Sequence, residues 1–219
     1  TRQATLFPYT TLFRSELYIE TGLSEIRMDN YRRILSLDSA MAVVQFDKDG
    51  TQYQRKYFIS YPDSVMVMKF TASKAGKQNL ILSYCPNSEA KSHLKADGNN
   101  GLVYTGILNN NGMKFAFRIK AIHKGGTLKA EDDRLIVKDA DEVVFLLTAD
   151  TDYKMNFNPD FKDSKAYVGN DPEQTTQAMM KQALQKGYDE LYRNHENDYT
   201  SLFNRVRLQL NPEENSPNL

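Results

Sequence analysis

Hydrophobic and polar positions repeat every two residues over most of this chain and every three to four only near its end. Ala42, Val44 and Phe46 alternate with Val43, Gln45 and Asp47, the period of a half-buried strand. Asp49-Gly50 then supplies the positive-φ positions of a tight hairpin. The chain returns over Thr51 to Ile59, with Tyr53, Arg55, Tyr57 and Ile59 on one face and Gln52, Gln54, Lys56 and Phe58 on the other. Tyr61-Pro62-Asp63 makes a corner, because proline fixes φ and donates no ladder hydrogen bond. Val65 to Phe70 is a third strand, closed by the turn Lys74-Ala75-Gly76-Lys77, and Leu80, Leu82 and Tyr84 alternate in a fourth. Pro86 to Gly101 reads as a long polar loop holding His93. Leu102 to Leu108 pairs through Asn109-Asn110-Asn111-Gly112 with Met113 to Ile122, where Phe115, Phe117, Ile119 and Ala121 share a face. Lys124-Gly125-Gly126 turns again before Leu135-Ile136-Val137. Val143 to Leu147 is a continuous apolar run suited to a central strand. Short strands separated by turns at these intervals predict a sandwich and not a doubly wound sheet.

The period changes after Asp150. Residues 151–171 read as an aromatic-rich irregular linker. Asp171 caps a helix with Pro172 at its first position, and Gln174 stands where a capping box places its second partner. Met179, Ala183 and Leu184, with Met180 beside them, form the apolar stripe of that helix, and Gly187 breaks it. A second helix follows from Tyr188 to Asn204. Its face at three- and four-residue steps is Tyr188, Leu191, Tyr192, His195, Tyr199, Leu202, Phe203 and Val206. Val206 to Leu210 alternates as a closing strand, and residues 211–219 are a polar tail. The expected fold is mainly β: an antiparallel β-sandwich over residues 16–150, then the linker, then a two-helix unit over 172–210.

Composition narrows function mainly by exclusion. Twenty-eight basic and 28 acidic residues cancel, so charge argues for neither nucleic acid nor an anionic membrane surface. No apolar run approaches the roughly 18 residues of a membrane span. Cys85 is the single cysteine, which excludes an intramolecular disulfide, and its place beside Tyr84 at a strand end predicts a buried thiol. His195-Glu196-Asn197-Asp198-Tyr199 begins like a zinc-binding helix but has Tyr199 in place of the second histidine, so His195 and Asp198 are expected to fix how the helix docks. Asp47-Lys48-Asp49-Gly50 lacks the alternating oxygens and distal glutamate of a calcium loop and reads as a turn. Glycoside hydrolysis needs paired carboxylates, and the candidates are Asp132-Asp133, Asp139 with Asp141 and Glu142, and Asp150 with Asp152. The first two sets lie in turn-like sequence, where solvated aspartate is common. His93, His123 and His195 occupy unrelated contexts, and Gly125-Gly126 is a hairpin turn with no helix after it to cradle a phosphate. Asp150 and Asp152 flank Thr151 at the sandwich-to-linker boundary, in reach of a neighbouring domain, and no catalytic, metal-binding or cofactor-binding residue is assigned.

A set of short motifs carries a family resemblance: Tyr31-Arg32-Arg33-x-Leu35-x-Leu37-Asp38-x-Ala40, Ser60-x-Pro62-Asp63-x-Val65, Thr71-Ala72-x-Lys74-x-Gly76, Gly125-Gly126, Ala140-Asp141-Glu142-Val143 and Thr151-Asp152-Tyr153. It continues through Tyr188-x-x-Leu191-x-x-x-His195-x-x-Asp198-Tyr199 to Arg205-Val206-x-Leu208-x-Leu210. In order and spacing these resemble the N-terminal β-sandwich domain of glycoside hydrolase family 95, mainly bacterial α-L-fucosidases. The resemblance implies an inverting enzyme acting on fucosylated glycans, periplasmic or extracellular, whose catalytic acid and water-activating residues lie in a downstream (α/α)6 barrel. The chain is then expected to be a fragment, a sandwich without the family's first strands plus a helical linker whose partner is the barrel. Thr1 to Ser15 departs from the Gly-Asp turn that precedes the Leu17 strand in the family. It resembles an adapter-derived translation and is expected to be a non-native lead. Two other readings stand beside this one. A freestanding carbohydrate-binding module would expose an aromatic row, for which Tyr53, Tyr57, Tyr104, Phe115 and Phe117 are available. The equivalent domain of a sandwich-plus-barrel phosphorylase would differ only in its barrel.

Overall fold

The computed structural model describes residues 16–23, 28–85, 90–131, 133–160 and 162–206. Among them, twelve strands form two antiparallel sheets. The smaller sheet has the order β1 (Glu16–Glu20), β6 (Gln78–Cys85), β11 (Arg134–Ala140), β10 (Thr127–Ala130). The larger has the order β2 (Asp29–Ser36), β3 (Met41–Lys48), β4 (Thr51–Ser60), β5 (Val65–Ala72), β12 (Glu142–Thr151), β9 (Lys114–Lys124), β8 (Gly101–Leu108), β7 (Ala90–Ala96). One long helical element, α1 (Pro172–Phe203), lies on the larger sheet's other face.

The main core lies between the sheets. Leu80, Leu82, Leu135 and Val137 of the smaller sheet meet Phe70, Tyr104, Phe115, Ile119, Val143 and Phe145 of the larger. Each large apolar side chain removed from water there contributes about 1.5–3 kcal/mol. A second core forms on the opposite face, where Phe58, Val67, Val144 and Leu146 meet Met180, Ala183 and Leu191 of α1. Strand β12 sits mid-sheet between β5 and β9 and belongs to both cores. Val143 and Phe145 point toward the smaller sheet, whereas Val144 and Leu146 point toward the helix. That double covering is why the strand's apolar run is unbroken.

Turn chemistry follows the sequence closely. Asp49 and Gly50 both have positive φ, at 49° and 66°, and close the β3–β4 hairpin. At Gly126 (φ 62°) a side chain would be impossible, since a Cβ there would stand 2.1 Å from the carbonyl oxygen of Lys138. Gly187 has φ 72° and ψ 175°, a conformation almost confined to glycine, and divides α1 into two helical segments.

Several expectations need correction. Pro86 to Gly101 is not one loop, because Ala90–Ala96 is the edge strand β7, with His93 opposite Thr105. Its alternation is faint, Ala90, Ser92, Leu94 and Ala96 against Lys91, His93 and Lys95 with Leu94 the one large apolar side chain, so the pairing to β8 is what defines it. Strands β2 and β10 are also additional to those read from the sequence. Cys85 is exposed, since alternation along β6 turns Tyr84 inward and Cys85 out. In the first segment of α1 the buried positions are Pro172, Thr176, Met180 and Ala183, while Leu184 is exposed: the helix is rotated so that Met180, not Leu184, fills the core. The expected closing strand at Val206 to Leu210, the lead at Thr1 to Ser15 and the tail at 211–219 lie outside the described residues, except Val206, which is exposed.

Candidate functional site

The feature that most clearly links sequence motifs to geometry is the docking of α1. Asp171 accepts a hydrogen bond from the Glu173 backbone N–H at 3.0 Å, which caps the first segment beside Pro172. Thr148 of β12 donates to the Thr176 carbonyl at 3.1 Å, fixing that segment over the middle of the sheet. Beyond Gly187, Phe58 sits among Tyr188, Tyr192 and His195, with ring centroids at 5.9, 5.7 and 5.0 Å. His195 is buried, and its Nε2 lies 3.1 Å from the Ala40 carbonyl. A carbonyl only accepts, so Nε2 carries the proton. The expected docking role of His195 is thus seen. For Asp198 it is the backbone carbonyl that is engaged, accepting from Ser201.

A charged clamp closes this docking at the β4–β5 corner. Asp63, with a side chain only 2% exposed, accepts from Ser60 Oγ at 2.6 Å, Lys186 Nζ at 2.6 Å and Asn194 Nδ2 at 3.2 Å. Burial alone would push the Asp63 carboxyl up, but these donors and the Lys186 charge outweigh it and hold it below its ordinary value. The clamp grips both sides of the Gly187 break at once. Nearby, burial first, then the negative charges of Asp189 and Glu142 and the Tyr192 phenol, push the Tyr188 phenol to about 12. Lys69 stands 4.2 Å from the Tyr188 ring centroid and pairs with Glu142 at 2.8 Å. The motif Ser60-x-Pro62-Asp63 is visible in the sequence, but the clamp it forms is not. Its signal was an aspartate after a corner proline, which alone looks like any turn residue.

The carboxylate candidates are dispersed into structural tasks. Asp47 accepts from Asn30 Nδ2 at 2.6 Å, and Asp49 is in its hairpin turn. Asp133 pairs with Arg134 at 2.9 Å, and Asp132 lies outside the described residues. Asp141 accepts from the Gly76 N–H at 2.7 Å, Glu142 pairs with Lys69 and Lys124, and Asp139 has φ 54° in a strand irregularity. Asp150 accepts from the Thr151 N–H, whereas Asp152 is buried and accepts from the Lys114 N–H at 2.9 Å. His93 lines a cleft at the sheet edge, and His123 contacts the Gly125 carbonyl.

Two clefts flank the start of α1 on the larger sheet. One, of about 480 Å³, lies among Lys91, His93, Thr105, Lys114 and the helix start at Asp171 and Glu173. The other, of about 450 Å³, lies between β9 and the first helical segment. In it Asp97 meets Arg118 at 2.5 Å and Lys120 at 3.1 Å. Burial pushes the Asp97 carboxyl up, but the bonds from Arg118 and Lys120 and their charges prevail and lower it. A sequence reader has one clue here: Arg118 and Lys120 occupy the mid-strand polar face of a strand whose other face is aromatic.

Comparison with known proteins agrees with this architecture. The model of the glycosyl hydrolase family 65 N-terminal domain matches residues 4–156. "Probable alpha-fucosidase A" of Aspergillus niger is 29% identical over 217 residues, covering 93% of this chain and 26% of that protein. "Alpha-L-fucosidase 2" of Arabidopsis thaliana is 27% identical over 205 residues, covering 83% of this chain and 24% of its own length. The chain therefore spans about a quarter of the curated relatives it matches. The solved structure "Putative kojibiose phosphorylase from human microbiome" superposes with a TM-score of 0.56 at 9% identity, over 84% of this chain and 27% of that one. At that identity the likeness concerns the fold alone.

Proposed function

Because the chain belongs to the glycosyl hydrolase family 65 N-terminal domain family, an N-terminal sandwich domain of glycoside hydrolases, we propose that it serves as the non-catalytic sandwich of a bacterial α-L-fucosidase-like enzyme of family 95. On this reading its task is to buttress a helical catalytic barrel carried by the same polypeptide, in which an acid and a base-activated water act on opposite faces of a fucosyl unit. The fucosidase specificity follows the two relatives named above, each about four times the length of the match.

One observation carries the buttress role. The second segment of α1 begins clamped and buried, but its far end is open: Leu202 is 56% exposed, Val206 just past the helix is 83% exposed, and Phe203 stacks on Tyr199 at 5.1 Å with its outer side in water. A helix whose apolar stripe outlasts the sheet beneath it suits a second layer to be covered by further polypeptide. The carbohydrate-module alternative loses its platform, because Tyr53, Tyr104, Phe115 and Phe117 are all buried and Tyr57 is half-buried in the core between the sheets.

The test is enzymatic and structural together. The purified chain should not release the aryl group from aryl α-L-fucosides above the uncatalysed rate. Joined to the downstream region of its own gene, it should gain hydrogen-exchange protection at residues 199–206. Turnover by the chain alone that disappears in Asp150→Asn or Asp152→Asn would overturn the proposal, as would unchanged exchange at 199–206.

A further inference from the structure

The cleft between β9 and the first segment of α1 holds more positive charge than the protein neutralises. Arg118 is buried and Lys120 nearly so, with side chains 7% and 15% exposed, and both rest on the single carboxylate of Asp97. Lys120 is otherwise satisfied by the Asp97 carbonyl and Asn100 Oδ1, both neutral acceptors. Arg118 gives Nη1 to Asp97, but its Nε is buried without a partner among the described residues. One anion for two cations leaves a net positive charge on the β9 wall of the cleft, which favours entry of a counter-charge. The opposite wall adds to the imbalance. Lys181 lines the cleft from α1 and is exposed, with no ion pair to any described residue. Gln177 and Gln185 stand on the same wall and offer amide donors and acceptors, over an apolar floor of Met180 and Leu184.

We propose that this cleft is a binding site for a small molecule that carries one oxyanion, a carboxylate or phosphate, on a polar body. Arg118 and Lys181 receive the oxyanion from opposite walls. Gln177 and Gln185 meet the polar body, and the roughly 450 Å³ of space accommodates a single sugar-sized ring. Asp97 opposes the incoming charge, so the site is tuned for weak, reversible occupancy. The inference depends on neither the enzyme nor the barrel proposed above, and absence of hydrolytic activity would leave it untouched.

Two probes separate the sources of the oxyanion: D-glucuronate, a sugar carboxylate, and inorganic phosphate, with L-fucose as the neutral control. Titration of the chain at low ionic strength, followed by NMR shifts or calorimetry, should show saturable binding of at least one anion and none of L-fucose. Preference for glucuronate assigns the site to an acidic sugar, and preference for phosphate assigns it to a phosphorylated ligand. Lys181→Gln, an exposed position whose change leaves the core intact, should weaken the preferred anion about five- to tenfold. Asp97→Asn should tighten it in any sample whose far-UV spectrum matches the wild type. The proposal fails if neither anion saturates, if Lys181→Gln binds as the wild type does, or if L-fucose binds as well as glucuronate.

Discussion

Replacing Asp63 by alanine removes the acceptor of three donors from the most deeply buried carboxylate of the helix-docking interface. A hydrogen bond to a charged group contributes roughly 1.5–3 kcal/mol, but the three losses do not add. Asn194 is half-buried and the Lys186 ammonium a third exposed, so both recover water when the carboxylate is gone. Ser60 is 0% exposed and cannot, which leaves a stranded hydroxyl worth about 1–3 kcal/mol. The expected cost of Asp63→Ala is therefore about 2–4 kcal/mol, or a Tm lower by roughly 4–16 °C for a chain of this size. Urea denaturation measures the first figure and calorimetry the second. Hydrogen exchange should show the loss concentrated in residues 188–203 while β12 stays protected. The pH dependence gives an independent check. Folding lowers the Asp63 carboxyl below its ordinary 3.8, so its stabilisation is complete above that value and is lost as pH falls through the folded one. The gap between wild type and Asp63→Asn should accordingly be constant at neutral pH and close below 3.8. Asp97 and Glu142 are lowered in the same sense, so both proteins weaken in acid, and only their difference reports Asp63. A cost under about 0.5 kcal/mol, the size of an ordinary surface change, or a gap unchanged at low pH, would refute the clamp.

Phe58→Ala should cost about 3–5 kcal/mol and free the second segment of α1, because its ring is the common contact of Tyr188, Tyr192 and His195. Denaturation together with exchange at Leu191 and His195 checks it. Gly126→Ala should be more damaging than Gly112→Ala: both have positive φ, but an added Cβ meets the Lys138 carbonyl at 2.1 Å in the first and open space in the second. The second should cost about 1 kcal/mol and the first clearly more, read as two urea midpoints. Gly187→Ala, also in open space, tests the break in α1 by backbone strain alone and should destabilise by about 1–3 kcal/mol.

Period-two alternation and short apolar runs placed β3, β4, β5, β6, β8 and β9, an unbroken apolar run placed β12, and turn residues marked where the chain reverses between them, because these signals are local. The hairpin at Asp49-Gly50 depends on the φ preferences of two residues, and the core faces of Phe115, Phe117, Ile119 and Ala121 depend only on side chains alternating across a pleat. The Gly187 break was legible for the same reason. What the sequence left undecided is what each face meets. Strand β7 is mostly polar, with Leu94 its one large apolar side chain, half-buried with Ala90 against the main core, and its pairing to β8 is what defines it as a strand. Met180 is buried and Leu184 exposed because the rotation of α1 is set by Thr148, Phe58 and Asp63, all distant in sequence. Neither Asp63, in a turn after Pro62, nor Arg118, between Phe117 and Ile119 on β9, shows its partners in the sequence. One became a clamp because Lys186 and Asn194 approach it across more than a hundred residues, and the other became an under-neutralised cation because only Asp97 does. Charge balance in a buried site is a sum over neighbours, and only the tertiary structure brings those neighbours together.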